Sequence, residues 1–434
     1  SWITILILST INLVNYINGA PFESIKSVLS PEERLWKANA IQKLWEERKK
    51  MGSTPLIRID FGGIPMADIL FKNETSTPSG TLKHRFVLSL TLWAVVEGKI
   101  HSNSTVYDST SGNTGASEAY MCRVIGVPYV AVVAHELEQE KINQITQFGG
   151  QIYKVNVSER NYWAERLANE TGGFFINQFG NADSAEEYHE SGGYEYESSN
   201  VFHEIITEMK NRNMSAPSYF IHSAGTGGTI SSVGKYVTRY NIPTRVVMAD
   251  SQYSLFYDYV LTNKYSNISA GQSGRPDWIS PGIAGIGYGY NPEPIQFKRT
   301  TSLLRNVVDE VVKMPDMASI AAMRVLRQYG IDGGASTALN FLVSIYKALQ
   351  HKAGLDVIPK NERISLTLIM GDPGWFYEST YFNDTWIETK MNKFGGLHSL
   401  NCWLDKINRT VSYMDKDALD FLKTDECSTS QMTP

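Results

Sequence analysis

The stretch Thr77-Pro78-Ser79-Gly80-Thr81-Leu82-Lys83-His84-Arg85 contains a lysine that is hard to explain as a structural residue. Pro78, Ser79 and Gly80 are typical turn residues. Residues 86–96 are apolar on nearly every face and predict a buried helix. Lys83 is therefore expected at the mouth of a core helix, where its amine can lose its proton near neutral pH and form a Schiff base. The alternative is an ordinary surface lysine in the first turn of a helix.

A polar loop follows the short strand predicted at residues 105–108. It reads Ser109-Thr110-Ser111-Gly112-Asn113-Thr114-Gly115 and precedes a helix predicted over 116–125. Such a loop offers hydroxyl groups, unpaired backbone N–H groups and the positive end of the helix dipole. It predicts a carboxylate-binding pocket, with a simple N-cap and a flexible approach as the alternative.

A second loop, Ala224-Gly225-Thr226-Gly227-Gly228-Thr229, lies between a strand predicted at 219–222 and a helix predicted at 230–240. Its glycines allow backbone N–H groups to close on phosphate oxygens, and its threonines add hydroxyl groups. It lacks the lysine of a Walker loop and the spacing of a dinucleotide fingerprint. The pattern predicts a phosphate-binding cup, and a glycine-rich turn without a ligand is the alternative.

Strands and helices alternate between these loops, with strands predicted at 129–133, 151–155 and 174–176 and helices at 139–148 and 159–171. This order predicts an α/β fold with parallel sheets covered on both faces.

At 434 residues the chain is long enough for two lobes. Its net charge of −5 gives no basic surface for nucleic acid. No metal site is predicted.

The first twenty residues resemble a secretory signal, because the apolar run 2–14 is short and ends in Asn18-Gly19-Ala20-Pro21. A signal anchor is the alternative, and no stable membrane span is expected in the mature chain. Only three cysteines are present: Cys122 is expected in the core, and Cys402 and Cys427 could pair. Three cysteines are no disulfide framework and count against secretion. The signal-like start nevertheless favours the secretory pathway, and it is supported by eight N-glycosylation sequons, at Asn73, Asn103, Asn156, Asn169, Asn213, Asn267, Asn383 and Asn408.

The lysine, the carboxylate loop and the phosphate cup, in this order, resemble the fold-type II pyridoxal-phosphate enzymes of the cysteine synthase and cystathionine β-synthase family. The likeness runs from residue 54 to 386. It is closest to the L-cysteine desulfhydrase branch, on three segments: Ser79-Gly80-Thr81-Leu82-Lys83-His84-Arg85, Met314-Pro315-Asp316-Met317-Ala318-Ser319-Ile320-Ala321-Ala322-Met323-Arg324 and Tyr381-Phe382-Asn383-Asp384-Thr385-Trp386.

The resemblance implies a two-lobed α/β fold like that of the tryptophan synthase β subunit, and a homodimer. It implies a large cofactor-binding lobe from residues 21–85 and 181–391. A small mobile lobe would consist of residues 86–180, which would close when a carboxylate binds. Residues 1–20 would be the signal peptide and residues 392–434 a C-terminal tail.

The resemblance also assigns site residues. Lys83 would bind pyridoxal 5'-phosphate covalently, and Asn113 would contact its 3-hydroxyl group. Ser336, with Thr337 as its rival, would face the pyridine nitrogen. The phosphate would be held by Gly225, Thr226, Gly227, Gly228 and Thr229. The substrate carboxylate would be bound by Thr110, Ser111, Gly112, Thr114 and Gln178. The loops Gly285-Ile286-Gly287 and Met370-Gly371-Asp372-Pro373-Gly374 match loops beside the family site, and His84, His189 and Asp372 are expected to have structural or supporting roles.

The implied chemistry begins with removal of the α-proton of an amino acid by Lys83. A neutral hydroxyl group at the pyridine nitrogen favours loss of a β-leaving group over transamination. The expected reaction is β-elimination on L-cysteine, giving sulfide, pyruvate and ammonia. Two alternatives stay open: β-replacement, as in cysteine synthase or cystathionine β-synthase, and a catalytically silent secreted relative that acts as a binding protein.

Overall fold

The computed structural model describes residues 28–190, 198–264, 283–287, 301–352, 363–413 and 427. The predicted signal peptide and Asn267 lie outside these residues, as does the side chain of His189. The strands are β1 (Leu56–Ile59), β2 (Ala67–Asn73), β3 (Val106–Ser109), β4 (Tyr129–Ala134), β5 (Gln151–Val155), β6 (Phe174–Phe175), β7 (Tyr219–Ser223), β8 (Arg245–Ser251), β9 (Glu310–Met314) and β10 (Ile364–Met370). The helices are α1 (Pro31–Met51), α2 (Lys83–Val96), α3 (Asn113–Ile125), α4 (Gln139–Gln147), α5 (Arg160–Thr171), α6 (Ala182–Glu190), α7 (Val201–Asn211), α8 (Gly228–Arg239), α9 (Phe256–Thr262), α10 (Asp316–Gln328), α11 (Ala335–Lys352), α12 (Asp384–Lys390) and α13 (Gly396–Tyr413).

The strands form two sheets. The larger has the order β1-β2-β10-β7-β8-β9, in which every neighbouring pair is parallel except β1 and β2. The smaller has the order β5-β4-β3-β6 and is entirely parallel. The prediction of an α/β fold with parallel sheets is confirmed. The smaller sheet lies within the range predicted for the mobile lobe.

The larger sheet is buried on both faces, because successive residues of a strand point in opposite directions. On β7, Ile221 faces the core shared with α10 and α11, whereas Phe220 faces the core shared with α7 and α8. A separate core, formed by residues such as Val87 and Met121, lies between the smaller sheet and helices α2 and α3. None of the described helices is both long and apolar enough to cross a bilayer.

Three helices begin earlier than apolar periodicity predicts. Helix α2 begins at Lys83 rather than at Phe86, α3 at Asn113 rather than at Ala116, and α8 at Gly228 rather than at Ile230. The first turn of a helix can be polar or glycine-rich because it need not face the core, so hydrophobic spacing does not detect it. As a result, several candidate site residues, such as Lys83, Asn113 and Gly228, lie in the first turns of helices.

The C-terminal segment is part of the core. Helix α13 packs on α10 through buried side chains that include Trp403 and Ile407. The amide of Gly63 donates to the carbonyl oxygen of Val411 at 2.6 Å, so the helix also contacts the loop between β1 and β2. Cys402 on α13 forms a disulfide with Cys427, with a Cα–Cα distance of 5.6 Å. The pairing considered from the sequence is therefore present.

Candidate active site

Lys83 is held by a turn that is fixed to the larger sheet. The amide of Leu82 donates to the carbonyl oxygen of Gly371, just after β10, at 2.8 Å. Thr77 stabilises the turn itself, since its hydroxyl donates to the carbonyl oxygen of Thr81 at 2.7 Å. Lys83 is only partly exposed, and burial lowers its pKa to about 8, against the opposing effect of Glu118 and Asp108. At pH 7 a minor fraction of the Lys83 amine is therefore uncharged and able to react as a nucleophile or base.

The predicted carboxylate loop is rigid. The Thr110 hydroxyl accepts hydrogen bonds from the amides of Gly112 and Gly115 at 3.1 and 3.0 Å. Thr114 donates to Gln178 Oε1 at 2.6 Å, and Gln178 Nε2 donates to the carbonyl oxygen of Ser109 at 2.8 Å. The structure thus brings together the residues predicted to bind substrate, but Thr110, Thr114 and Gln178 already have partners within the protein.

Ser111 and Gly112 differ in their surroundings. Ser111 is exposed and lies across from Gly285, whose added Cβ would be 3.8 Å from the Ser111 Oγ. Gly112 has φ of 123°, and a Cβ there would lie 2.5 Å from the Cδ of Lys141. Gly112 therefore lets the loop bend over Lys141, and Ser111 is the hydroxyl that faces outward.

Asn113 connects the smaller lobe to the larger one. Its Nδ2 donates to Asp372 Oδ2 at 2.8 Å, and Tyr377 Oη donates to the same oxygen at 2.6 Å. Burial raises the pKa of Asp372, while Lys141, Tyr377 and Asn113 oppose that rise. Asn113 Oδ1 is buried and has no hydrogen-bond partner among the described residues. One polar atom of Asn113 is thus available to a ligand, and Asp372 holds the side chain in place.

The predicted phosphate cup can exist only with glycine at two positions. Gly227 caps α8 with φ of 84°, and a Cβ there would lie 2.4 Å from the amide nitrogen of Leu303. A Cβ on Gly225 would lie 2.5 Å from the carbonyl oxygen of Gly285. Thr226 accepts from the amide of Gly228 at 3.2 Å. Gly228 and Thr229 line the same small cavity as Leu82, so the cup lies beside the turn that carries Lys83.

The structure distinguishes the two hydroxyl groups proposed to face the pyridine nitrogen. Thr337 is fully buried, and its Oγ1 accepts from the amide of Gly371 at 3.3 Å. Ser336 is partly exposed, and its Oγ would be 3.2 Å from a Cβ on Gly371. Both lie beside the loop that holds Leu82. Ser336 is the more available hydroxyl group, and its role stays a prediction.

Sequence reasoning missed Lys141. Its side chain is 2% exposed, and its Nζ lies 4.4 Å from the centre of the Tyr377 ring and 3.3 Å from Glu138. The sequence did contain a sign of its burial, because Lys141 occupies the same face of α4 as the buried Ile145. A lysine on the apolar face of a helix is unusual. Lys141 connects α4 to the segment that follows Asp372, through its contact with the Tyr377 ring.

Three further ionisable groups near Lys83 were also missed. Asp108 and Glu118 are buried in the smaller lobe, on β3 and α3, and both act on the pKa of Lys83. His222, at the end of β7, is buried on the side of the larger lobe, and burial followed by the charge of Lys83 lowers its pKa to about 3. Glu118 was detectable as a carboxylate on the apolar face that also carries Met121 and Cys122.

These residues fit pyridoxal phosphate. Asn113 has a buried oxygen without a partner among the described residues. The glycines of the cup present backbone without side chains at the start of α8, and burial lowers the pKa of Lys83. An anion at the N-terminus of α8 would meet unpaired N–H groups and the helix dipole. Lys83, Asn113, Ser336 and the cup are therefore the residues that would hold this group.

Comparisons with known proteins agree with this geometry. A family model described as "Pyridoxal-phosphate dependent enzyme" matches residues 48–358. The Caenorhabditis elegans protein F13B12.4, whose name describes it provisionally as pyridoxal-phosphate dependent, is 55% identical over 383 residues, which cover 87% of each chain. L-cysteine desulfhydrase Cds1 of Mycobacterium tuberculosis is 32% identical over 82% of this chain and 91% of its own. The crystal structure of a hydrogen sulfide-producing enzyme matches with a TM-score of 0.62 at 22% identity, over 78% of this chain and 91% of its own, which shows a shared fold.

Proposed function

Since the chain belongs to the family of pyridoxal-phosphate dependent enzymes, we propose that it catalyses β-elimination on L-cysteine, with sulfide, pyruvate and ammonia as products. The observation that carries the proposal is the placement of Lys83. Burial lowers the pKa of its amine to about 8. The turn that carries Lys83 lies beside the phosphate cup and, through the Ser79–Ser117 hydrogen bond, beside the helix that follows the carboxylate loop. The choice of cysteine is supported by the likeness to a desulfhydrase over most of both chains.

The cofactor, when bound, makes the α-proton of an attached amino acid acidic. Lys83 is then placed to take that proton on its Nζ as a general base. The loop from Thr110 to Thr114 and the N-terminus of α3 would bind the substrate carboxylate and fix the α-carbon in front of Lys83. Asp372 holds Asn113 in one orientation during the reaction.

The reaction balances with one water molecule. The Cα–H and Cβ–S bonds of cysteine break, the sulfur leaves as sulfide, and water then replaces the nitrogen at Cα to give pyruvate and ammonia. Lys83 both takes the α-proton and afterwards can return it. No nucleophile adds at Cβ after sulfide leaves, and this distinguishes elimination from replacement.

The test is to incubate the cofactor-loaded protein with L-cysteine and to measure sulfide and pyruvate. Equal amounts of both products, unchanged by added homocysteine, are the expected result. A many-fold increase in sulfide with homocysteine, without matching pyruvate, would indicate β-replacement instead. Bound cofactor without turnover of cysteine, serine or O-acetylserine would favour the silent binding protein.

We further propose that the chain matures in the secretory pathway. The Cys402–Cys427 disulfide supports this, since such bonds persist in oxidising compartments. Surface exposure of the sequons also supports it, because glycosylation requires an accessible side chain. The exposed sequon asparagines are Asn103, Asn156, Asn169, Asn213 and Asn383.

Expression through a eukaryotic secretory pathway should yield glycosylated protein whose mass falls on treatment with peptide N-glycosidase. Peptide mapping should find glycan on one or more of the five exposed asparagines. Asn408 is the internal control: it lies within α13 in a sequon whose Thr410 is fully buried, so it should be unmodified. Protein that passes through the pathway without any glycan would contradict the proposal.

A further inference from the structure

We propose that Asp108 and Glu118 form a carboxyl pair that shares one proton, and that its single negative charge sets how tightly Lys83 holds its own proton. The pair would act through Lys83 and would not touch the substrate, so both are positioning residues. The inference rests on the role of Lys83 as the base proposed above. It assigns a function to two buried acids that the proposed reaction does not otherwise use.

The two carboxyl groups meet inside the smaller lobe. Asp108 is 0% exposed and lies near the end of β3, two positions before Thr110, and Glu118 is 1% exposed on α3. Beyond the effect of burial, each carboxyl group acts on the pKa of the other, which places the two side chains close together. Tyr129, on the neighbouring strand β4, donates from its Oη to Glu118 Oε2 at 2.6 Å. The pair is thus built from three adjacent elements of one lobe.

The surroundings of the oxygen atoms favour a proton shared by the pair. Glu118 Oε1 and both carboxylate oxygens of Asp108 are buried, and none accepts an ordinary hydrogen bond from the described residues. Two ionised carboxylates in contact would repel each other strongly in a medium of low dielectric constant. A proton between them removes the repulsion and supplies the missing donor. One negative charge then remains on the pair.

The pair lies close to the turn that carries Lys83. Ser117, which precedes Glu118, is hydrogen-bonded to Ser79 of that turn with an Oγ–Oγ distance of 2.8 Å. Burial lowers the pKa of Lys83, and Glu118 and then Asp108 oppose this effect. Burial also raises the pKa of Asp108 to about 7, so the pair carries its charge at the pH where Lys83 titrates.

The other ionisable groups facing these residues are uncharged in that range. His222 faces Lys83 from β7 with a pKa lowered to about 3, so its imidazole is neutral. Burial raises the pKa of the Cys122 thiol and of the Tyr129 hydroxyl, which face Glu118. The carboxyl pair is therefore the counter-charge of Lys83, and without it the amine should lose its proton at lower pH.

The experiment measures Lys83 directly in the cofactor-free protein. Reductive methylation with formaldehyde proceeds only on the neutral amine, so its rate at Lys83, followed by peptide mass spectrometry against pH, gives the midpoint of deprotonation. In the variant D108N/E118Q the midpoint should fall by about one pH unit, as expected for loss of a nearby opposite charge. The acid limb of cysteine turnover by the cofactor-loaded variant should move in the same direction.

The matched control is D250N, which alters a buried carboxyl group in the larger lobe that does not act on Lys83. Its Lys83 midpoint should equal that of the unaltered protein.

If D108N/E118Q does not fold, Y129F replaces it. Loss of the donor to Glu118 favours a second proton on the pair, so the midpoint of Lys83 deprotonation should fall by a smaller amount. A folded variant of either kind with an unchanged midpoint overturns the inference. A shifted midpoint in protein that lacks cysteine turnover would leave the inference intact and count against the proposed reaction alone.

Discussion

Replacing Lys83 with alanine should reduce cysteine turnover about 10³-fold or more and should abolish the visible absorption of the covalently bound cofactor. Turnover should fall because the variant lacks the general base, whose contribution alone is about 10²- to 10⁴-fold. Absorption should be lost because Lys83 is the residue proposed to form the Schiff base with the cofactor. Absorption spectra of the purified protein with added cofactor, together with a sulfide assay, check both results.

The control for this substitution is K83R, which keeps the positive charge. A guanidinium group stays protonated and can neither act as a base nor form a Schiff base, so K83R should be as inactive as K83A. Thermal unfolding of both variants should resemble that of the unaltered protein. Turnover within tenfold of normal in K83A would show that Lys83 is not the base and would remove the main support for the proposed reaction.

Replacing Arg85 with methionine should lower the free energy of unfolding by about 3–5 kcal/mol, the usual cost of leaving buried charges without their partner. The Arg85 guanidinium forms ion pairs with Glu74 at 2.8 Å and with Glu204 at 2.7 Å. Lys72, whose side chain is 0% exposed, also pairs with Glu204 at 2.8 Å. Without Arg85, Glu204 would keep Lys72, whereas the buried Glu74 would lose the cation that pairs with it. Denaturant unfolding followed by circular dichroism measures the difference.

The same network predicts how stability depends on pH. Burial alone would raise the pKa of Glu204, but Arg85 and Lys72 outweigh it and lower the pKa to about 2. The folded state therefore binds the proton of Glu204 less tightly than the unfolded state does. The stabilisation by Glu204 is complete above the unfolded pKa of about 4.3 and is lost as the pH falls towards 2. In the variant R85M this loss on acidification should be smaller.

Arg166 provides the comparison for R85M. It pairs with Glu170 at 2.6 Å, but both side chains are about half exposed, so R166M should cost about 0.2–1 kcal/mol. Equal effects of R85M and R166M would contradict the assignment of the Arg85 network as a buried, stability-determining cluster.

The sequence was sufficient for the features that depend on local pattern. The alternation of strands and helices predicted parallel sheets, and the three motifs marked Lys83, Asn113 and the loop from Gly225 to Thr229. Each motif is a turn that opens a helix, so residue type and order carry the signal. The structure places these motifs next to one another through contacts such as that of Leu82 with Gly371.

Contacts between distant parts of the chain could not be predicted in the same way. Asn113 and Asp372 are 259 positions apart, and nothing in either motif indicates that one orients the other. The partnership of Asp108 with Glu118 requires the register of a strand against a helix. Helix α13 was overlooked because its segment is polar on average, although Leu400, Trp403 and Ile407 follow helical spacing.

The central position of β10 has a consequence for how this protein is made. Strand β10 separates β2 from β7, and Arg363, just before it, donates to the carbonyl oxygen of Ala67 across 296 positions of sequence. A ribosome must therefore deliver nearly the whole polypeptide before the larger sheet can close. The smaller sheet, from Val106 to Phe175, needs only nearby residues and can assemble while synthesis continues. Until β10 emerges, β2 and β7 leave unpaired strand edges, which we expect chaperones to protect.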